Sequence, residues 1–348
     1  MTDEGTRVPR HHFSEQVLEE QYLTMISRIE FTQEKTVIAV SIVLFVIFSL
    51  SLGGFFSTSN LIGLIRNIAI LGILGVGMGI VIIGRGIDLS VISILAISAA
   101  FFIEMLNAGT PLASSFLIAL GFVLLIGIAN GVLIAYGEIP PIFATLAMGL
   151  FVYGYGRSQI MGADVAYIPD EYSEFLDLGT LKPLGIPIEV YVFAAVCIAA
   201  WLFLKKTKYG QYTYYIGDNH AAARNIGIPV RPMIVLQYVL SALFAAIAGA
   251  IVAGTILSLN TRIVNSTLLY DVILIVVLGG IGLSGGKGGV SNVVFGALLI
   301  GILVNGMTIM DLEQTHQNLI KALILLVVVI ADTIFNQRNE QTEKQGDI

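Results

Sequence analysis

The chain has 348 residues, of which 56% are hydrophobic and only 12% are Asp, Glu, Lys or Arg. Soluble domains carry about 25% charged residues, so a water-soluble globular protein is excluded and a polytopic membrane protein is expected. The net charge of −6 says less than its distribution, and the single cysteine, Cys197, lies in an apolar stretch where it cannot form an internal disulfide.

Residues 1–35 are polar and show no cleavable signal peptide; on this reading the first apolar span is an uncleaved anchor. About 20 apolar residues cross a bilayer as a helix. Ten spans satisfy that pattern, at 36–53, 61–83, 88–106, 112–136, 141–161, 188–204, 232–258, 267–283, 290–310 and 319–335. The expected fold is therefore all-α: a permease-sized membrane domain over 36–335, with residues 336–348 as a polar tail. Glycine is abundant, 37 residues, which suits close helix contacts in lipid. The runs GILGVGMGIVIIGRG (72–86) and LGGIGLSGGKGG (278–289) each end an apolar helix in a Gly-rich basic turn. They read as weak copies of one another and suggest an internal repeat, a common plan in transporters.

Basic residues concentrate on the inner side of membrane proteins. With the N-terminus inside, the inner segments hold Arg7, Arg10, Arg28, Lys35, Arg85, Lys205, Lys206, Lys208, Arg224, Arg231, Lys287, Arg338 and Lys344, and the outer segments hold Arg66, Arg157, Lys182, Arg262 and Lys321. The outer loop 162–187 is acidic, with Asp164, Asp170, Glu171, Glu174 and Asp177 against Lys182. Both termini are thus expected in the cytoplasm of a cell with an inner membrane, and Arg66 and Arg157 are expected to snorkel to headgroups.

The loop 205–231 holds five of the 18 Lys and Arg. Its centre, Asp218 to Gly227, has the makings of a short helix: Asn219 as N-cap, Ala221 to Ala223 as helix formers, Gly227 and Pro229 as the stop. An ordinary basic loop is the plainer alternative. Within or beside the spans stand the polar side chains Asn67, Asp88, Asn130, Thr145, Tyr153 and Asn305. They can supply donors, acceptors and a ring face along a path for a polar solute. They serve equally well as interhelical hydrogen bonds, worth about 0.6 kcal/mol each. Asp88 can also cap the third span.

Catalytic chemistry is missing. SGGKGG has Gly288 where a phosphate loop needs Ser or Thr, and Ile281 where it needs the first Gly. The four histidines, His11, His12, His220 and His316, form no zinc pattern, so neither a metal site nor a catalytic residue is assigned. An ion-driven transporter would need unpaired carboxylates in the membrane, for which only Asp271 is a candidate.

Four segments in order carry a family likeness: IVIIGRGIDLSVIS (80–93), EIPPIFATLAMGLFVYGYG (138–156), TKYGQYTYYIGDNHAAARNIGI (207–228) and YDVILIVVLGGIGLSGGKGG (270–289). The chain resembles the monosaccharide group (ribose, xylose, arabinose, autoinducer-2) of ABC importer permeases, within the branched-chain amino-acid and sugar permease superfamily. Arg85, Ile92, Asp218 and the segment 307–312 depart from that pattern. The resemblance implies a permease dimer, with itself or a close homologue, an extracytoplasmic solute-binding protein and a cytoplasmic ATPase that binds ATP and Mg. No nucleic-acid partner is expected. It makes 205–231 the coupling loop, with Tyr215, Gly217, Asp218, Asn219, Ala222, Arg224 and Gly227 shaping or making the ATPase contact, and Asp218 the place for a partner-specific adjustment. The implied cargo is a pentose, hexose or small polyol; a nucleoside or branched-chain amino acid is the alternative.

Overall fold

The computed structural model describes residues 33–161 and 163–335. The basic residues expected at the two ends, Arg7, Arg10, Arg28, Arg338 and Lys344, lie outside the described residues, as do most of segment 1–35 and all of 336–348.

Every expected span contains a helix. They are α1 (Gln33–Ser51), α2 (Thr58–Ile83), α3 (Val91–Asn107), α4 (Leu112–Ala135), α5 (Pro141–Tyr155), α7 (Ile188–Lys206), α10 (Val230–Ile256), α11 (Leu268–Leu278), α12 (Val290–Ile309) and α13 (Gln314–Phe335). Between them lie three short helices, α6 (Asp170–Leu176), α8 (Lys208–Asp218) and α9 (His220–Asn225). Among the described residues, six helices are long and apolar enough to cross a membrane and three shorter ones are apolar. α5 is extended by a π-turn, Gly156–Ile160. The result is an all-α integral membrane protein.

The helices divide by what surrounds them. α2 is buried continuously from Leu71 to Ile83, the signature of a core helix that is apolar all round. α10 packs against α2, α3 and α4. Peripheral helices instead expose large apolar side chains, such as Leu50, Leu125, Phe143, Leu150, Ile198 and Leu326. In water such exposure would mark an aggregating surface; in lipid it is the expected outer wall.

Chain direction alternates, so the connections sort onto two faces. Segments 84–90, 136–140, 207–229 and 279–289 share one, here called the basic face. The opposite face carries 156–187 and 257–267, joined by a two-stranded antiparallel ladder of β1 (Val165–Tyr167) and β2 (Ser258–Asn260) with Ala166 opposite Leu259. The two Gly-rich runs meet on the basic face, where Gly286 N–H donates to Ile83 O at 2.8 Å.

Two expectations change. Lys205 and Lys206 belong to the last turn of α7 rather than to the loop. Arg66 and Arg157 do not snorkel: the folded-back loop 156–187 supplies partners for both. Arg66 donates to Gly179 O at 2.6 Å and faces Glu189 at 3.3 Å. Arg157 donates to Ala163 O and pairs with Asp164.

Candidate coupling and pathway sites

The segment after α7 is built from two capped helices. Thr207 Oγ1 accepts from Gly210 N–H at 3.1 Å and starts α8. Asn219 Oδ1 accepts from Ala222 N–H at 2.9 Å and starts α9. α9 closes through Gly227, whose φ of +82° suits a residue without Cβ. Gly227 N–H reaches Arg224 O and Ile228 N–H reaches Ala223 O, both at 3.1 Å, the pairing of a Schellman stop. The underside of α9 is apolar: Ala223 and Ile228 pack with Ile216, Val230 and Met233. Ala222 and Arg224 on α9, Ile226 just after it, and Tyr215 and Asp218 at the end of α8 are all exposed.

α8 is keyed directly into the membrane core. A Cβ on Gly217 would stand 1.8 Å from Ile83 O and 2.6 Å from Gly286 N, so α8, the end of α2 and the 279–289 turn touch through backbone. Tyr214 OH adds a bond to Gly288 O at 2.8 Å. The two charged departures from the family pattern come together here. The Asp218 backbone and Cβ abut Gly286, and Arg85 abuts the neighbouring Gly285.

Asp88, Asn130 and Thr145 converge on the break between α2 and α3, and all three are fully buried. Asp88 Oδ1 accepts from Ser90 N–H at 3.0 Å and from the Ser90 hydroxyl, while Oδ2 accepts from Ser241 Oγ at 2.7 Å. Asn130 Nδ2 donates to Ser90 Oγ at 2.8 Å. Thr145 Oγ1 accepts from Leu89 N–H at 3.1 Å and donates to Pro141 O at 2.8 Å. The cap position of α3 belongs to Ser90, without a side-chain cap bond. Asp88 lies two residues ahead and bonds the chain two residues on, as an Asx turn does. The carboxylate thus ties the turn to α10, while Asn130 on α4 and Thr145 on α5 bond the same turn at Ser90 and Leu89, so three helices fix the break.

The remaining candidates lie apart. Asn305 on α12 exchanges reciprocal amide bonds with Asn60 on α2, at 2.9 and 2.8 Å. Tyr153 is half-buried against the core. Asn67 is exposed on the side of α2. Asp271 pairs with Lys321 at 2.7 Å.

A second buried carboxylate, absent from the sequence-based candidates, sits under the opposite face. Glu189 is fully buried, faces Arg66, and accepts from Thr255 Oγ1 at 3.1 Å. In sequence it reads only as an acid in the first turn of α7. Ser90 and Ser241 were equally silent, since hydroxyls are common in membrane helices.

A bundle of this kind, with buried broken helices and a capped helix keyed to its core from one face, defines a polytopic transport subunit. The chain matches the family described as branched-chain amino acid transport system / permease component over residues 60–331, and it belongs to that family. It is 35% identical to the ribose import permease protein of Haemophilus influenzae over 292 residues, 84% of this chain and 90% of that one. It is 36% identical to the galactofuranose transporter permease protein of Escherichia coli, covering 78% and 79%. With the fructose import permease protein of Rhizobium meliloti the identity is 31%, covering 82% and 81%. No solved structure matches the chain.

Proposed function

We propose that this chain is the permease subunit of an ABC importer that moves a monosaccharide or small polyol across the cytoplasmic membrane. The basic face is cytoplasmic, and so are both termini. A separate ATPase binds ATP and Mg, docks on the outer side of α9 and moves it. The single observation that carries this reading is the way α9 is held: capped by Asn219, closed at Gly227 and joined through α8 to Ile83 and Gly286. A passive basic loop has no need of backbone-to-backbone contact with a transmembrane helix. The sugar assignment draws on the printed names of relatives that align over most of their length.

In this reading Arg224, Tyr215 and Ala222 meet the ATPase. Asp218 and Gly217 form the joint to the core, and Asp88, Asn130 and Thr145 shape the helix break rather than touch solute. Asn67 and Tyr153 face the path or the second permease subunit, and a solute-binding protein docks over segment 162–187. Asp271 loses its claim as a coupling-ion carboxylate, since Lys321 neutralises it. Two measurements test the reading. An ATPase should co-purify from native membranes, and Arg224→Glu should abolish solute-stimulated ATP hydrolysis while leaving the elution profile of the permease unchanged. A lone permease, or unchanged coupling in the variant, would sink it.

A further inference from the structure

The basic face contains an open cavity of about 650 Å³, within the range of about 300–1,000 Å³ typical of small-molecule sites. Its walls are the 84–86 turn, the junction of α4 and α5 over 134–141, and the start of α10, with α9 on the rim. Guanidinium groups dominate its lining: Arg85, Arg224 and Arg231 stand around it with His220, and the acid among the lining residues, Glu138, is engaged by Arg231 at 3.0 Å. The cationic field registers on His220: burial, then the guanidinium groups of Arg85 and Arg224, hold the imidazole below its ordinary pKa. α5 and α10 both begin at the cavity, so their positive dipole ends add to the field.

One buried group gives the cavity a directional feature. Gln237 lines it and is 1% exposed, yet its Nε2 has no hydrogen-bond partner among the described residues. A buried donor left unsatisfied is costly, so this amide is set for an acceptor that arrives from outside. Guanidinium, imidazole and amide donors converging from separate elements suit a dianion with three acceptor oxygens. The volume leaves room for an organic body against Ile134, Ile139 and Ile234.

We propose that this cavity is a binding site for a small phosphate monoester, its phosphate held by Arg224, Arg85 and Gln237. Arg224 lies on α9, while Arg85 and Gln237 lie in the core. A bound phosphate therefore ties α9 to the bundle and opposes its movement. That consequence rests on the importer reading: a phosphorylated sugar, the product of a kinase reaction on imported cargo, would slow coupled ATP turnover.

Binding itself needs no ATPase, so titration calorimetry on the detergent-purified full chain separates the two ideas. Ribose 5-phosphate should bind saturably, inorganic phosphate more weakly, and ribose not at all. Arg224→Gln and Gln237→Leu should each weaken ribose 5-phosphate at least tenfold. Melting curves without ligand report whether each variant folds; if the buried Gln237→Leu does not, the exposed Arg224→Gln decides alone. Absence of saturable binding, equal binding of ribose, or undiminished binding by the folded variants overturns the proposal. A response only to phosphatidylglycerol nanodiscs would assign the cavity to a lipid headgroup and overturn it too. Absence of a co-purifying ATPase would remove the importer reading and leave the binding result standing.

Discussion

The two faces of this bundle are held together by different chemistry. On the basic face, the junction of α8 with the core is made through glycine and hydroxyl: Gly217 lies against Ile83 O, Gly286 N–H bonds Ile83 O, and Ser90 and Ser241 hold Asp88, with the Arg231–Glu138 ion pair exposed on the rim. On the opposite face they meet through charge: Glu189 with Arg66, Asp164 with Arg157 and Arg262, Asp271 with Lys321. Contact through backbone tolerates no added atom but is indifferent to salt. Contact through charge tolerates small shape changes but depends on both partners being present. The α8 junction is thus the part built without compliance, and the ion pairs under the long connection 156–187 can part and re-form.

Substitutions can break or sharpen that contrast. The largest effect is expected from Gly217→Ala, whose methyl has no space between two backbones. Overpacking of this kind costs about 3 kcal/mol, and denaturation in detergent should show it. Glu189→Ala comes next, at about 2 kcal/mol, because Arg66 loses its buried counter-charge but keeps Gly179 O and some solvent. The companion Arg66→Met/Glu189→Leu pair should recover most of that loss; a pair as damaging as the single change would show the contact is not electrostatic.

Asn219→Ala removes the cap of α9, worth about 1 kcal/mol. Hydrogen exchange should speed up at residues 220–228 and stay unchanged in α2. The smallest loss is expected for Asp164→Asn, about 0.5 kcal/mol for a partly exposed pair. High salt should reproduce it in the parent chain and leave the Gly217 junction unaffected. A pH effect belongs to the basic face. His220 has its pKa lowered by burial and by Arg85 and Arg224, so the unfolded chain binds the proton more readily. The packing of α9 should therefore weaken as pH falls through about 6.5, the ordinary imidazole value, and exchange at 220–228 should follow that titration.

Much of this was legible in the residues. Twenty-residue apolar runs set the helix positions, and Asn219, the alanines and Gly227 announced α9 as a capped turn before any coordinate did. The convergence of Asp88, Asn130 and Thr145 was not legible, although each residue was conspicuous. They lie up to 57 positions apart in sequence (88 to 145), and no periodicity links a turn with two different helices. Glu189 was hidden for another reason. At the edge of a span, next to a polar loop, an acid looks solvated until the chain folds over it. The short helix α8 was missed because KYGQYTYYIGD carries two glycines and little net apolarity; its one-sided apolar pattern, the Thr207 cap and the packing around Gly210 and Gly217 make it helical.

α10 runs from Val230 to Ile256, 27 residues, or about 40 Å at 1.5 Å per residue. That exceeds the hydrocarbon thickness of about 30 Å, so the helix must tilt or protrude. It carries Ser241 against Asp88 and Thr255 against Glu189, and neither a proline nor a π-turn interrupts it between those contacts. A strut clamped at two depths cannot absorb a displacement by bending. Whatever rotates its end on the basic face must be felt as torque on the Arg66 contact on the far side. A crosslinking probe placed beside the Arg66–Glu189 contact, with both side chains intact, should therefore report what happens on the side that carries α9.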